Sequence, residues 1–231
     1  MISKKIKLIK EQINRTAQKF NRSPQDIKLL AVSKTKPIED IIAAINVGQT
    51  SFGESYLQDA IPKIQALSEH DLEWHFIGAL QSNKTRLIAE NFDWVQSLDK
   101  FKHAKRLNIQ RPTNLPPLNV CIQVNISSEP QKAGVKLTEL FDLALAVNML
   151  PNLRLRGLMA LPQPNQNFAQ QSLPFHSLYE IYQQLQNSGL VLDTLSMGMT
   201  NDMEAAIAEG STLIRIGTGI FGKRLKTMNY L

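Results

Sequence analysis

The chain has 231 residues, 43% of them hydrophobic, which is enough for one large or two small domains with a sizeable core and no covalent staples. Its single cysteine, Cys121, excludes an internal disulfide and a cysteine-cluster metal site, and it fits a reducing compartment, the cytoplasm. The net charge of +6 comes from scattered basic residues, densest at 4–10, 100–106 and 223–226 and without interleaved aromatics, so a basic surface is expected rather than dedicated nucleic-acid binding.

The N-terminus, MISKKIKLIKEQINR, lacks an apolar run of signal-peptide length, and no stretch approaches the roughly 20 apolar residues of a membrane helix. A soluble, unprocessed chain is expected. It opens on an amphipathic helix, with Ile6, Ile9, Ile13, Ala17 and Phe20 at helical spacing and Ser23-Pro24 behind it. Short apolar runs then alternate with helical patterns. Strands are expected at 28–33, 50–53, 73–78, 94–98, 118–126, 155–161, 193–197 and 212–217. Helices are expected at 37–47, 56–67, 82–91, 100–108, 138–149, 170–187, 201–208 and 218–221.

A strand followed by a helix, repeated along the whole chain, implies a parallel sheet, here a closed (β/α)8 barrel of the TIM type with an extra N-terminal helix. The competing arrangement is an open doubly wound sheet, but the first strand-to-helix turn, SKTKP, lacks the glycine-rich dinucleotide fingerprint. No shift in composition marks a second domain, so 1–231 reads as a single domain.

Strand faces follow from the two-residue period of side chains. In NVCIQVNIS, Val120, Ile122, Val124 and Ile126 should meet the helices, leaving Asn119, Cys121, Gln123 and Asn125 inward. In TLIRIGT the same rule turns Leu213, Arg215 and Gly217 inward. In the first strand Leu30, Val32 and Lys34 share a face, with Lys34 at the carboxyl end, where barrel active sites lie.

An inward lysine at a barrel mouth has two readings: an ammonium that snorkels to solvent and pairs with a carboxylate, or an amine made nucleophilic by burial or a cationic neighbour. Lys36 lies beyond the strand end and reads as a surface or phosphate-edge charge. SMGMTNDMEAA and RIGTGIFGK each place small residues between a strand end and a helix start, where backbone N–H groups can hold an anion. Ser196 adds a hydroxyl there, and Gly217 and Gly219 permit close approach of the backbone. Ordinary capping accounts for part of the same pattern, with Asn201 and Glu204 as a capping box and Gly210 as a helix stop. Cys121 and His75 read as core residues, and His70, His103 and His176 lack metal-ligand spacing.

AVSKTKP, FGESYLQD, EWHFIGALQSNK, RLRGLMAL, SMGMTNDMEAAI and RIGTGIFG, in this order, resemble the YggS/PROSC family of pyridoxal-phosphate homeostasis proteins, relatives of the alanine racemase barrel domain. The resemblance implies pyridoxal 5′-phosphate held as an internal aldimine on Lys34, with Arg215 facing the pyridine nitrogen. It implies a phosphate held by Ser196 and by backbone groups at Gly217 and Thr218, with Gly198 shaping the loop. Ser55 stands where the family usually carries asparagine, so a polar contact to the cofactor there is shorter or passes through water; Asn125, Met159 and His75 join as pocket lining.

Two functions follow: a carrier that buffers or delivers the cofactor, and a racemase-like enzyme. A two-base racemase needs a proton donor and a proton acceptor on opposite faces of its substrate, and Lys34 serves one face. The chain ends at Leu231, leaving no room for the β domain that supplies the second group in alanine racemase. A non-catalytic cytoplasmic monomer that passes pyridoxal phosphate to apo-enzymes is therefore expected, with no membrane partner.

Overall fold

The computed structural model describes residues 1–127 and 133–222, so the basic group at 223–226 lies outside the described residues. Eight parallel strands close into a barrel in sequential order. They are β1 (Lys28–Val32), β2 (Ser51–Glu54), β3 (Glu73–Phe76), β4 (Trp94–Leu98), β5 (Leu118–Val124), β6 (Leu153–Ala160), β7 (Thr194–Ser196) and β8 (Leu213–Ile216). The helices are α1 (Ile2–Lys19), α2 (Ile38–Ile45), α3 (Leu57–Ala66), α4 (Thr85–Asn91), α5 (Phe101–Gln110), α6 (Leu137–Asn148), α7 (Phe168–Asn187), α8 (Met203–Ala208) and α9 (Thr218–Phe221). β1 pairs with β8 in the register Leu30 to Arg215, which closes the barrel and excludes the open sheet.

The period-two reading of the strands survives in the packing. Leu29, Ala31, Val120, Ile122, Val124, Ile214 and Ile216 belong to the continuous apolar layer under the helices. Trp94, Cys121 and Met159 form a separate buried cluster, as expected for residues turned into the barrel. Register is pinned because a slip of one residue would exchange the two sets. It shifts once along β5 and β6, between Val120 and Cys121, opposite Gly157. Gly157 has φ +155°, and a Cβ there would stand 1.7 Å from the Thr194 carbonyl oxygen, so only glycine lets β6 approach β7.

Element ends differ from expectation where side chains find other partners. β6 begins at Leu153, and α7 begins at Phe168 because the Asn167 side chain accepts from the N–H groups of Ala169 and Gln170. The expected capping box of Asn201 and Glu204 does not form. Instead Asp202 precedes α8, its carboxylate turns back to the Met199 N–H at 2.6 Å, and Glu204 pairs with Lys19 at 2.6 Å. Gly210 does end that helix, at φ +96°.

α1 buries Ile6, Ile13 and Ala17 against α2, α8 and α9. Behind it Arg22 donates to the carbonyls of Ile207 and Ser211 at 2.9 and 2.6 Å. The extra helix thus braces the two short helices that follow β7 and β8. Among the described residues no helix is long and apolar enough to cross a membrane.

Candidate functional site

Lys34 stands two residues beyond β1, half-buried, in a tight turn closed by the Lys36 N–H donating to the Ser33 carbonyl at 3.0 Å. Thr35 completes the turn at φ +63°, a left-handed conformation that costs a β-branched residue about 1 kcal/mol or more. Something must hold it. Beneath the turn, Glu54 at the end of β2 accepts from the Ser33 hydroxyl at 2.7 Å and from Lys63 of α3 at 2.8 Å. Lys63 also donates to the Ser33 carbonyl at 3.1 Å. Burial pushes the Glu54 carboxyl up against the pull of Lys63 and Ser33, and its second oxygen, Oε2, is buried without a hydrogen-bond partner. The lysine is thus anchored through Ser33 to a buried ion pair. Lys36 is turned elsewhere, donating to the Phe221 carbonyl at 3.0 Å.

Across the β1–β8 seam, a Cβ at Gly217 would lie 3.5 Å from Val32, so the start of α9 sits just below the Lys34 turn. In α9 the Ile220 and Phe221 N–H groups donate to the Gly217 carbonyl at 3.0 and 2.9 Å, which leaves those of Thr218 and Gly219 outside the helix's own bonding. A cleft of about 920 Å³ opens beside them, lined by Met199, Thr200, Asn201, Asp202 and Thr218 and by the loop after β6. Gly219 carries no side chain at a point where a Cβ would be 2.9 Å from Ile216 Cγ2 and 3.3 Å from the Thr200 hydroxyl. Gly198 at φ +97° lets the loop after β7 lie on α8, since a Cβ would stand 2.5 Å from that of Ala206.

Arg215 is the inward residue of β8 at this end, buried at 4% exposure and not itself part of the cleft lining. Its guanidinium donates to the Ser196 hydroxyl and, at 2.8 Å, to the Ala160 carbonyl. Both acceptors are neutral. Burial pulls its pKa down to about 10, with partial compensation from the charge of Asp202, and among the described residues no carboxylate pairs with it. A buried guanidinium whose hydrogen-bond acceptors are both neutral suits a ligand that offers a further acceptor. With an amine at Lys34, hydroxyls at Thr200 and Thr218 and small residues at Gly217 and Gly219, the mouth fits an aldehyde that carries negative charge.

Ser196 differs from expectation in its contacts. Its hydroxyl is fully buried, accepts from Arg215 and donates to Gln96 Oε1 at 2.6 Å, while the hydroxyls that line the cleft are those of Thr200 and Thr218. His75 is fully buried and reaches this end only through Gln96. Met159 packs with Trp94 and Cys121 inside the barrel. Ser55 follows β2, its carbonyl 2.2 Å from where a Cβ of Gly78 would be. Asn125 follows β5 and donates its N–H to Val135 at 3.0 Å. Thr200, Gln96 and the Glu54–Lys63 pair escape sequence reading. Only the small-residue context of MGMTND hints at the first, and nothing local marks the others.

Residues 6–224 match the family described as alanine racemase, N-terminal domain. A Haemophilus influenzae protein named pyridoxal phosphate homeostasis protein is 52% identical over 227 residues, 96% of each chain. Its Escherichia coli K12 namesake is 52% identical over 219 residues, 94% of each chain. The chain belongs to the pyridoxal phosphate homeostasis family. Solved structures agree with this family assignment. PipY of Synechococcus elongatus, with PLP bound, superposes with a TM-score of 0.85 at 33% identity over 96% of this chain and 100% of that one. Alanine racemase from Corynebacterium glutamicum shares the barrel at a TM-score of 0.67 and 14% identity, but this chain covers 60% of it.

In this member of the homeostasis family, removing the charge beneath the Lys34 turn should be costly. Lys63→Met leaves Glu54 buried without its cation and should lower unfolding free energy by about 3–5 kcal/mol. Adding Glu54→Gln should recover most of that loss in urea denaturation, because a neutral amide needs no counter-charge. A double variant as unstable as the single one would mean that packing, not charge, holds the turn.

Proposed function

We propose that this protein binds pyridoxal 5′-phosphate at the carboxyl end of its barrel, covalently through Lys34, and serves intracellular pyridoxal-phosphate homeostasis without turning over a substrate. The observation that carries the reading is the enclosed Arg215 guanidinium with neutral partners, beside a lysine held at the barrel mouth. The relatives' shared name and the PLP in PipY point the same way. When bound, the cofactor supplies an electrophilic aldehyde and a ring that can withdraw electrons.

The chain's own residues divide the task. Lys34 is the attachment point, and Arg215 meets the ring nitrogen. The phosphate lies against the Thr200 and Thr218 hydroxyls and the first-turn N–H groups of α9, where Gly217 and Gly219 leave room. Gly198 shapes the β7 loop, and Ser196 acts on Arg215 rather than on the phosphate. Ser55, Asn125 and Met159 bound the pocket from β2, β5 and β6. One chain, a single barrel domain over 1–231, carries the whole set, so the protein works as a monomer. Pyridoxal-phosphate-dependent apo-enzymes in the cytoplasm are the recipients, and the buried thiol of Cys121 suits that reducing compartment.

Two features favour a carrier over an enzyme. A guanidinium only donates, so a ring nitrogen beside it stays unprotonated and withdraws electrons weakly. Among the described residues that line the cleft Asp202 is the one titratable group, and its Oδ1 already accepts the Met199 N–H.

Borohydride treatment of the loaded protein, followed by peptide mass spectrometry, should place the cofactor's mass on Lys34 and find none in Lys34→Ala; a mass on Lys36 would move the anchor. Proton NMR of common amino acids in heavy water with the loaded protein should show no α-hydrogen exchange at an enzyme-like rate, and sustained exchange near about one turnover per second would make the protein an enzyme. Pyridoxal lacking the phosphate should bind at least tenfold more weakly, a loss of roughly 1.4 kcal/mol. Thr200→Ala should narrow that ratio, whereas equal losses for both ligands would put Thr200 away from the phosphate.

A further inference from the structure

A line of hydrogen bonds, exposed at Lys28, half-buried at Glu73 and buried from His75 onward, crosses the barrel from one end to the other. At the amino end, Lys28 of β1 donates to Glu73 Oε1 at 2.7 Å and Ser51 of β2 to the same atom at 3.2 Å. His75 Nε2 meets that oxygen at 2.6 Å, and His75 Nδ1 lies 2.8 Å from Gln96 Nε2. Gln96 Oε1 accepts from Ser196, one hundred positions away in sequence and on the far side of the barrel. Ser196 in turn accepts from Arg215 at the mouth. His75, Gln96 and Ser196 are all fully buried, and the Trp94 ring stacks on His75 with centroids 5.0 Å apart.

The directions of these bonds are not independent. Arginine can only donate, so Ser196 must accept from it and has one proton left for Gln96 Oε1. That turns the Gln96 amide so that its NH2 faces His75 Nδ1, which must accept. The imidazole is then neutral with its proton on Nε2, donated to the Glu73 carboxylate. A proton on Nδ1 would turn the amide, set two donors against Ser196 and leave the serine proton without its acceptor. Burial disfavours a charged His75 as well, against the pull of Glu73. Every bond therefore presents its negative end toward Arg215, and the anion that terminates the line lies at the opposite end of the barrel.

We propose that His75 is a positioning residue for Arg215: anchored on Glu73, it fixes the guanidinium through Gln96 and Ser196 in the orientation that meets the cofactor's ring nitrogen. This rests on the pyridoxal-phosphate reading above. His75 touches no ligand; it sets the one bonding pattern in which the enclosed cation is satisfied by neutral groups and keeps its remaining donors for the ring.

Two experiments separate this relay from the reading it rests on. In cofactor-free protein labelled with nitrogen-15 at histidine, His75 should appear as the neutral Nε2–H tautomer throughout roughly pH 5 to 8. Ser196→Ala should shift its Nδ1 resonance. A charged His75, or a resonance indifferent to Ser196, overturns the relay whether or not the cofactor binds. In the second experiment, His75→Leu should weaken pyridoxal phosphate roughly tenfold, the size of one hydrogen bond to a charged group. The same variant should leave a deaza analogue, which lacks the ring nitrogen, within about twofold of wild type by the same measure. His75→Gln, able to accept from Gln96 and donate to Glu73, should restore most of the loss. Equal weakening of both ligands, or no rescue by glutamine, would reduce His75 to a packing residue. Failure of the wild type to bind pyridoxal phosphate would instead overturn the functional reading and leave the tautomer result standing.

Discussion

Arg215 carries a full positive charge inside a barrel where its hydrogen-bonding partners, Ser196 and Ala160, carry none. Removing an ion from water costs several kcal/mol unless its surroundings replace the lost solvation. Here a carbonyl at the end of β6 and an oriented line of side chains do part of that work, and the charge of Asp202 adds to it. The polar interior residues are intelligible from that requirement. Without a cation at the top, a glutamine and a histidine in the centre of a barrel would be poorer fillers than leucine.

The mouth itself depends on close approaches that only glycine allows. Gly157, Gly198 and Gly219 stand where a Cβ would collide with the Thr194 carbonyl, Ala206 and Ile216. These contacts draw β6, β7 and β8 and their loops together, so the Thr200 and Thr218 hydroxyls face one cleft. On the other side the Glu54–Lys63 pair grips Ser33 and holds the strained turn that carries Lys34. The Lys34 amine and the cleft hydroxyls of Thr200 and Thr218 thus sit on separately braced loops. α1 completes the bracing from outside by packing on α8 and α9.

Much of this was legible in the residues alone. Alternation of strand and helix identified eight units, and the two-residue period separated Ile214 and Ile216 from Arg215, because every strand of a closed barrel is buried on both faces. Lys34 and Arg215 stood out as charges at positions where an apolar residue is the default. Asn201 and Glu204 misled, since a capping box is a local pattern and Lys19 and Met199 competed for the groups involved. Ser196 looked like a phosphate ligand because it closes a strand beside a glycine loop. The protein partners of its hydroxyl, Gln96 and Arg215, come from β4 and β8.

The sequence by itself determined the barrel, the inward faces of its strands and the lysine at its mouth, because these follow from periodicity and from the chemical type of single residues. Only the tertiary structure decided which hydroxyls face the cleft, that Lys63 reaches under the Lys34 turn, and that His75 addresses Arg215 through Gln96 and Ser196. Those relations join residues tens to a hundred positions apart across a closed sheet. They depend on the stagger of strands and the turning of individual side chains, and neither leaves a local pattern in the order of amino acids.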